Sequence, residues 1–360
     1  MQKIHIFSHT HRSFSKQIAD LLGKGHIHAG LMYEEFFRTG KIEGNNAAFN
    51  NARNLFHDIF HLTDCSLPEV IKHSSDGKTG KFLLRTHDKL EIESVLIPMQ
   101  SGGTLCVSSQ VGCRMGCTFC ETGRMGLLRN LTVAEIISQV FAARHLLGFK
   151  FKNVVFMGMG EPFDNFDNVM QAVEILNDPK GLAFGRKQVT ISTSGCIEGI
   201  DKLAKIKNGP NLAVSINAPT DMLRNKIMPI NRKHNLEKLY NAIKYYCDVT
   251  GRQVLAAYVL LKEINDREEH AEQLASFLQG LDVKVNLIPY NPQSCDRFLP
   301  PDPAILDAFA LKLRKRGFYT LVRNTKGKDI MAACGQLGNV LLRKKLATER
   351  NSESRIQNSE

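Results

Sequence analysis

Residues 104–120 read TLCVSSQVGCRMGCTFC. A β-type run, TLCVSS (104–109), leads into a polar, glycine-containing loop with Cys113, Cys117 and Cys120, and no fourth cysteine lies close by. Thiolates bind zinc ions or iron–sulfur clusters. Structural zinc takes four ligands, typically from two separate knuckles, whereas here one tight loop offers three and no second C-x-x-C follows. Three cysteines can hold all but one iron of a cubane cluster and leave that iron open to a small molecule. The remaining alternative, three core cysteines brought together by chance, fits a polar loop poorly.

Outward from this loop the chain alternates. Short β-type runs recur at 104–109, 153–159, 188–194, 211–216, 254–261, 284–290 and 318–323. Between them lie amphipathic segments such as TVAEIISQVFAARHLL, NFDNVMQAVEIL and NLEKLYNAIKYYCDVT, and later DREEHAEQLASFLQGL and DPAILDAFALKLRKRG. Thr132 with Glu135, and Asp266 with Glu269, have the spacing of capping boxes at helix starts. Repeated β/α units imply an α/β fold with a largely parallel sheet, either doubly wound or an incomplete barrel. Before residue 100 the pattern changes: KQIADLL, AGLMYEEFF and NNARNLFHDIFHL suggest short helices, and KFLLRTHDKLEIESVLIP suggests a hairpin. The last stretch, 341–360, is polar and expected to be a disordered tail.

The 360 residues carry a formal net charge of +11, which suits a polyanionic partner, RNA or DNA before an acidic membrane, or serves solubility alone. MQKIHIFSHTHRSF lacks a signal-peptide core, and the longest apolar stretch, near VLAAYVLL, is too short to span a bilayer. A cytoplasmic protein without membrane association is therefore expected. In a reducing compartment, nine unevenly spaced cysteines point to ligation or redox chemistry at a few positions rather than to a stapled scaffold.

C-x3-C-x2-C after a first strand resembles the signature of radical S-adenosylmethionine enzymes. That resemblance implies a partial (β/α)6 radical SAM barrel, a 4Fe–4S cluster on Cys113, Cys117 and Cys120, and S-adenosylmethionine chelated by the open iron. Reductive cleavage would give a 5′-deoxyadenosyl radical at the C-terminal ends of the strands. TLCVSSQVGCRMGCTFCETG, NLTVAEII, FMGMGEP, ISTSG, IMPIN, VNLIPYNP and DIMAACGQL together resemble a narrower group, the radical S-adenosylmethionine adenine methyltransferases that act on 23S rRNA. This likeness runs from residue 90 to 340, with AGLMYEEFFRTGKI placed like the family's N-terminal accessory helices. The resemblance of these segments implies a small N-terminal helical accessory domain (1–80) and a core (90–340).

What this narrower likeness implies can be assigned residue by residue. Gly160 and Glu161 in GMGEP would bind the methionyl amino group, and Ser192, Ser215, Ile216 and Asn217 the ribose and adenine. Relatives commonly carry histidine where Asn217 stands. Asn291 would complete the pocket. Taken alone, GMGEP could equally be a tight turn, and the two serines ordinary strand-end residues. Cys334 would be methylated first, lose hydrogen to the radical and add to an adenine carbon. Cys106 would release the product by forming a disulfide with Cys334, reopened by a cellular reductant; a cellular electron donor would serve cluster and disulfide alike. Glu93 in IESVLIP would be the base, though on sequence alone it reads as a solvent-facing strand residue.

The expected activity is methylation of adenine C2 or C8 in rRNA, possibly extending to tRNA, by a monomer. FCETG and AYVLL lean to the C8 branch and GMGEP to the C2 branch, so both carbons stay open. Two other readings compete: a radical enzyme acting on a protein or small molecule, and a non-catalytic iron–sulfur RNA-binding protein. The Cys106/Cys334 pair argues against the first, and retention of Glu93 and all five cysteines against the second. His57, His61 and Cys65 would share one stripe of a helix, a pattern commoner on an ordinary helix face than in a zinc site. LRKRG (313–317) and RKK (343–345) offer contacts to phosphate or a solvated face. Cys196, Cys247 and Cys295 read as structural.

Overall fold

Strands buried on both faces need helices over them, and short loops leave the intervening amphipathic segments no other place to bury their apolar stripes. The structure, a computed structural model, describes residues 3–75, 79–99, 102–293, 297–323, 331–333 and 335–338. The chain begins with β1 (Ile4–His5), α1 (His11–Leu22), α2 (His26–Thr39), α3 (Arg53–Leu62) and β2 (Thr63–Asp64). There follow β3 (Glu69–Ser75), β4 (Gly80–Arg85), β5 (Glu91–Ile97), β6 (Thr104–Cys106), β7 (Gln110–Val111), α4 (Glu121–Met125) and β8 (Arg129–Asn130). The repeating part contains α5 (Val133–Phe141), β9 (Asn153–Phe156), α6 (Phe166–Leu176), β10 (Val189–Thr193), α7 (Ile197–Ala204), β11 (Asn211–Ser215), α8 (Asp221–Ile227) and α9 (Leu236–Thr250). It continues through β12 (Val254–Leu260), α10 (Glu268–Leu278), β13 (Val283–Pro289), α11 (Pro303–Lys315) and β14 (Thr320–Val322).

Ten strands form one open sheet in the order β14-β13-β12-β11-β10-β9-β6-β5-β4-β3. Every neighbouring pair from β6 to β14 is parallel, while β3, β4 and β5 add to the β6 edge as antiparallel strands. All seven runs expected after residue 104 are strands, and 81–98 holds the expected hairpin. The fold is thus the α/β architecture that the alternation implied, in the partial-barrel form that the resemblance implied.

Thr132 and Glu135 form their capping box: Thr132 N–H donates to Glu135 Oε2 at 2.9 Å and Glu135 N–H to Thr132 Oγ1 at 3.2 Å. The second expected box is a correction. α10 starts after Arg267, and Asp266 turns back to accept the Glu263 N–H at 2.9 Å, closing the preceding loop. Helices α4, α7 and α8 and strand β3 were not read from the sequence. The three helices span five to eight residues each, too short for a 3.6-residue repeat to stand out.

Helices α1–α3 join the sheet layer through an aromatic cluster. Phe36 stacks on Phe141 of α5 with ring centroids 4.7 Å apart, and Phe7 meets Phe141 edge-on at 4.9 Å. All three rings belong to a core that runs unbroken from the N-terminal helices into the strands. The expected tail, 341–360, lies outside the described residues. Phe141→Ala should empty the joint between the two layers. Chemical denaturation should show a loss of about 3–5 kcal/mol; a loss of well under 1 kcal/mol would mean that the joint does not bear on stability.

Candidate functional site

The cysteine loop leaves the sheet through β7 and cannot turn without Gly112. Its φ is +77°, and a Cβ there would lie 1.8 Å from the Gly126 carbonyl oxygen. That carbonyl accepts the Cys113 N–H at 3.1 Å, which anchors the start of the loop. The end is fixed where Cys120 becomes the N-cap of α4 and its N–H bonds the Cys117 carbonyl at 3.2 Å. Phe119 packs between the two later cysteines and against Ile227 and Met228, and Thr118 N–H donates to the Ile227 carbonyl at 3.0 Å.

All three cysteines line a cleft over the C-terminal ends of the parallel strands. Sulfurs around one zinc ion stand about 3.8 Å apart, given Zn–S bonds of about 2.3 Å. The only group of three side chains among the described residues with ligand atoms all within 4.8 Å is His87, Asp88 and Glu135; the three cysteines are more widely spread. Soft donors, a wide spread and one loop fit a cluster better than a single ion. In the His87 group, Arg129 already occupies the centre, donating to Asp88 at 2.7 and 2.8 Å and to Glu135 twice at 2.8 Å. Burial pushes the Cys117 thiol up to about 12 and raises Cys113 and Cys120 as well, so the thiols are neutral until something ligates them.

The cleft floor is one face of the sheet. Bridge partners share a face, and so do residues two apart on a strand. The pairs Cys106–Val155, Val155–Thr190, Ser192–Ala213, Ser215–Ala257, Ala257–Asn286 and Asn286–Leu321 therefore trace one surface across seven strands. Ser192, Ser215, Ala257 and Asn286 on that face line the cleft, as does Arg323 just beyond β14. Gly160, Glu161 and Asn217 also line it, whereas Ile216 and Asn291 are buried beside it.

Glu161 is held by its neighbours. Its Oε2 accepts the Ser194 N–H and hydroxyl, both at 2.7 Å, and Oε1 accepts the Phe163 N–H at 3.2 Å. Burial raises its pKa, and the bonds from Ser194 work against that rise. Gly160 has φ +106°, and a Cβ there would lie 2.6 Å from Gln110 Cβ. Gln110 Oε1 in turn accepts the Glu161 N–H at 2.9 Å, so the glycine lets two strand ends close on each other. Asn217 takes a left-handed φ of +57°, which asparagine tolerates, and its Oδ1 accepts the Val259 N–H at 2.8 Å.

The same face continues past β6. Val95 bridges both Cys106 and Lys81, and Glu93 lies two residues before Val95. Glu93, Cys106 and Lys81 thus stand on the cleft side of the sheet, and Glu93 is buried rather than solvent-facing. Lys81 Nζ is 2.7 Å from Glu93 Oε2, and it also donates to the Met331 carbonyl at 3.0 Å. The pair is not aligned as a hydrogen bond, and that carboxylate oxygen accepts none from the described residues. A buried network fixes this corner: Ser108 Oγ donates to the Glu93 carbonyl at 2.6 Å, and Gln139 Oε1 accepts from Ser94 Oγ and Ser108 N, both at 2.8 Å.

Cys334 lies outside the described residues, and so does Cys295. The residues flanking Cys334 are fastened to the cysteine loop. Gly335 O accepts from Glu121 N at 2.8 Å and from Gln293 Nε2 at 2.9 Å, while Gln293 Nε2 also donates to the Phe119 carbonyl at 2.6 Å. Gln336 Nε2 donates to the Pro292 carbonyl at 2.6 Å, and Thr122 Oγ1 to the Leu337 carbonyl. Gln110, Ser194, Arg224, Asn286 and Gln293 were not anticipated. Gln110 in TLCVSSQVGCRMGCTFCETG, Ser194 in ISTSG and Asn286 in VNLIPYNP stood within stretches already singled out, whereas Arg224 and Gln293 lay outside them. What each one does is set by its tertiary placement rather than by local spacing. α3 ends at Leu62, so Cys65 leaves the His57/His61 stripe, and those three form no ligand group.

Comparison with known proteins agrees with this geometry. The radical SAM superfamily profile matches residues 107–275. The chain is 59% identical over 343 residues to a probable dual-specificity RNA methyltransferase RlmN 1 of Protochlamydia amoebophila, covering 95% of this chain and 96% of that one. It is 40% identical over 333 residues to the dual-specificity RNA methyltransferase RlmN of Francisella tularensis subsp. novicida, covering 89% of each. The crystal structure of a radical SAM methyltransferase from Sphaerobacter thermophilus superposes with a TM-score of 0.86 at 37% identity, over 93% of this chain and 99% of that one.

Ligation requires thiolates, and these thiols are neutral when nothing is bound, so each cysteine that binds iron must release its proton. Iron and sulfide uptake by the stripped chain should therefore strengthen as pH rises from mildly acidic to mildly basic, with proton release seen in weakly buffered titrations. Replacing all three cysteines by alanine should abolish uptake. Uptake that ignores pH, or that survives the triple replacement, would remove the loop as the ligand set.

Proposed function

The chain belongs to the RlmN family of radical SAM RNA methyltransferases, and we propose that it methylates an adenine carbon, C2 or C8, in rRNA through a methylated Cys334 and a covalent RNA intermediate. The observation that carries this reading is the shared sheet face: Glu93 and Cys106 stand on the surface that forms the cleft. As diagonal neighbours across an antiparallel pair they sit about 7–8 Å apart, within reach of one substrate.

The donor set fits a 4Fe–4S cluster held by Cys113, Cys117 and Cys120, and the cleft residues fit S-adenosylmethionine. Bound there, these groups would supply a methyl group and a hydrogen-abstracting carbon radical. Glu161, fixed by Ser194, presents a buried carboxylate to the methionyl ammonium. Ser192, Ser215 and Asn217, with Ile216 and Asn291 beside them, shape the nucleoside end. Aromatic C–H carbons are poor nucleophiles, so a covalent route through a cysteine divides a hard transfer into easier ones. Glu93, ion-paired with Lys81, removes the proton from the substituted adenine carbon. The Cys106 thiolate then attacks the Cys334 sulfur: the S–S bond forms as the bond from that sulfur to the adenine's methylene carbon breaks. The bonding pair stays with the carbon, which takes up a proton to become the product methyl group, and an external two-electron reductant reopens the disulfide.

The dual specificity in the relatives' names fits more than one RNA, so tRNA stands beside rRNA as a substrate. The positive charge suits both. Residues 1–80 are read as an accessory domain beside the catalytic core of 90–340. Among the described residues no helix is long and apolar enough to cross a membrane. A cytoplasmic monomer served by a cellular electron donor completes the reading.

Cys334→Ala should lose both self-methylation and the RNA adduct. Cys106→Ala should accumulate RNA on Cys334 as a band that survives denaturation. Glu93→Gln should retain cofactor binding but slow product formation by about 10²–10⁴-fold. Normal turnover by Cys106→Ala, or methyladenosine made by Cys334→Ala, would refute the two-cysteine route and favour a generic radical enzyme. Mass spectrometry of the product nucleoside decides between C2 and C8.

RNA affinity should also fall as salt rises, because Lys and Arg contacts release counterions from phosphates. Binding that stays flat across salt concentration would count against a nucleic-acid substrate.

A further inference from the structure

Arg224 on α8 is fully buried, and its guanidinium contacts only neutral acceptors. Nε donates to the Ile216 carbonyl at 3.0 Å, Nη1 to Asn231 Oδ1 at 3.0 Å, and Nη2 to the carbonyls of Ser194 at 2.7 Å and Ser215 at 3.0 Å. None of the ion pairs among the described residues includes it. The charge of Asp221 reaches it, but Asp221 Oδ1 is committed to Asn231 Nδ2 at 2.8 Å and Leu236 N–H at 2.9 Å. Glu161 lies on the other side of Ser194, taking that residue's N–H and hydroxyl while Arg224 takes its carbonyl. A cation this deeply buried is costly without an anion to answer it.

The negative charge that ligation would create lies beside it, in the cysteine loop. α8 and the turn after it pack directly on that loop, with Leu223, Ile227 and Met228 against Cys117, Phe119 and Cys120. Two of the carbonyls that hold Arg224 belong to Ser194 and Ser215, which line the cleft. Arg224 is also the positive charge whose field reaches the Cys117 sulfur. Burial lowers Arg224 itself, to about 10, which leaves it charged at neutral pH. The positive charge is thus built into the protein, and three ligating thiolates would supply the negative charge beside it.

We propose that Arg224 is the built-in counter-charge of the cysteine-held centre, balancing the negative charge brought by three thiolates and raising the potential at which the centre accepts an electron. Reduction adds one electron from an external donor, which loses one, and no bond is formed or broken. Because reduction makes a thiolate-bound centre more negative, a buried cation nearby stabilises the reduced form more than the oxidised form. This inference rests on cluster loading and is independent of methyl transfer and of RNA.

The test is a redox titration of the loaded chain with dithionite, without substrate, followed by electron paramagnetic resonance, on Arg224→Lys, Arg224→Gln and Arg224→Met. Lysine keeps the charge and loses the fork; the other two lose the charge. The neutral variants should shift the midpoint to more negative potential, and lysine should stay near the parent. Thermal melts of loaded and stripped protein should show that loading stabilises the neutral variants less than the parent. Neutral variants with the parent's potential would overturn the proposal. So would a lysine variant that shifts as far as methionine, since Arg224 would then be only a clamp on the strand ends. If neither neutral variant folds, the lysine variant alone decides: a midpoint near the parent's upholds the charge role, and a large shift refutes it. A parent chain that takes up no cluster would instead refute the radical SAM reading of the site.

Discussion

The strict alternation of a pleated strand is the constraint on which the rest of this site depends. From β4 to β14 the bridge partners form an unbroken register, so a side chain's face is decided by counting along a strand and across its neighbours. A slip of one residue in β5 would turn Glu93 away from the cleft and leave Cys106 without its diagonal neighbour. The parallel strands form the cleft, and the antiparallel extension through β5 and β4 brings a carboxylate and an ammonium to its edge. The hairpin therefore supplies part of the cleft edge as well as a cover for the sheet's β6 side.

Over that surface, buried polar groups do the positioning. Ser194 is held from both sides, with its N–H and hydroxyl given to Glu161 and its carbonyl taken by Arg224. Gln139 stitches α5 to β5 and to the residues after β6, and Gln293 ties the cysteine loop to Gly335. Each makes two or more bonds in a dry setting, where a lost partner is expensive, so the arrangement is fixed before any ligand arrives. The Glu161 carboxyl group and the Arg224 guanidinium flank Ser194 without pairing with each other.

Much of the fold was legible in the sequence, and the reason can be given element by element. The parallel strands from β6 to β13 announce themselves because they are largely buried and their apolar runs are bounded by turns. Thr132 and Glu135 mark the start of α5 because a capping box is local. Asp266 and Glu269 have the same spacing but mislead, since Asp266 finds a nearer N–H at Glu263. β3 escaped notice because EVIKHSS lies at the sheet's edge, is largely exposed and carries no continuous apolar signal. α7 and α8 are too short for periodicity.

The site divides along the same line. Cys113, Cys117 and Cys120 were readable by themselves, because a ligand loop is local and its spacing encodes its chemistry. Gly160 and Glu161 stood out through a motif, and Glu93 and Cys106 only through resemblance, since one carboxylate and one cysteine on separate strands carry no local mark. Only the tertiary structure could set Lys81 against Glu93, Gln293 against Gly335, or Arg224 beneath three strand-end carbonyls. Local spacing determined which residues could ligate. Register and burial decided which charges would face them, because both depend on partners tens to hundreds of residues away.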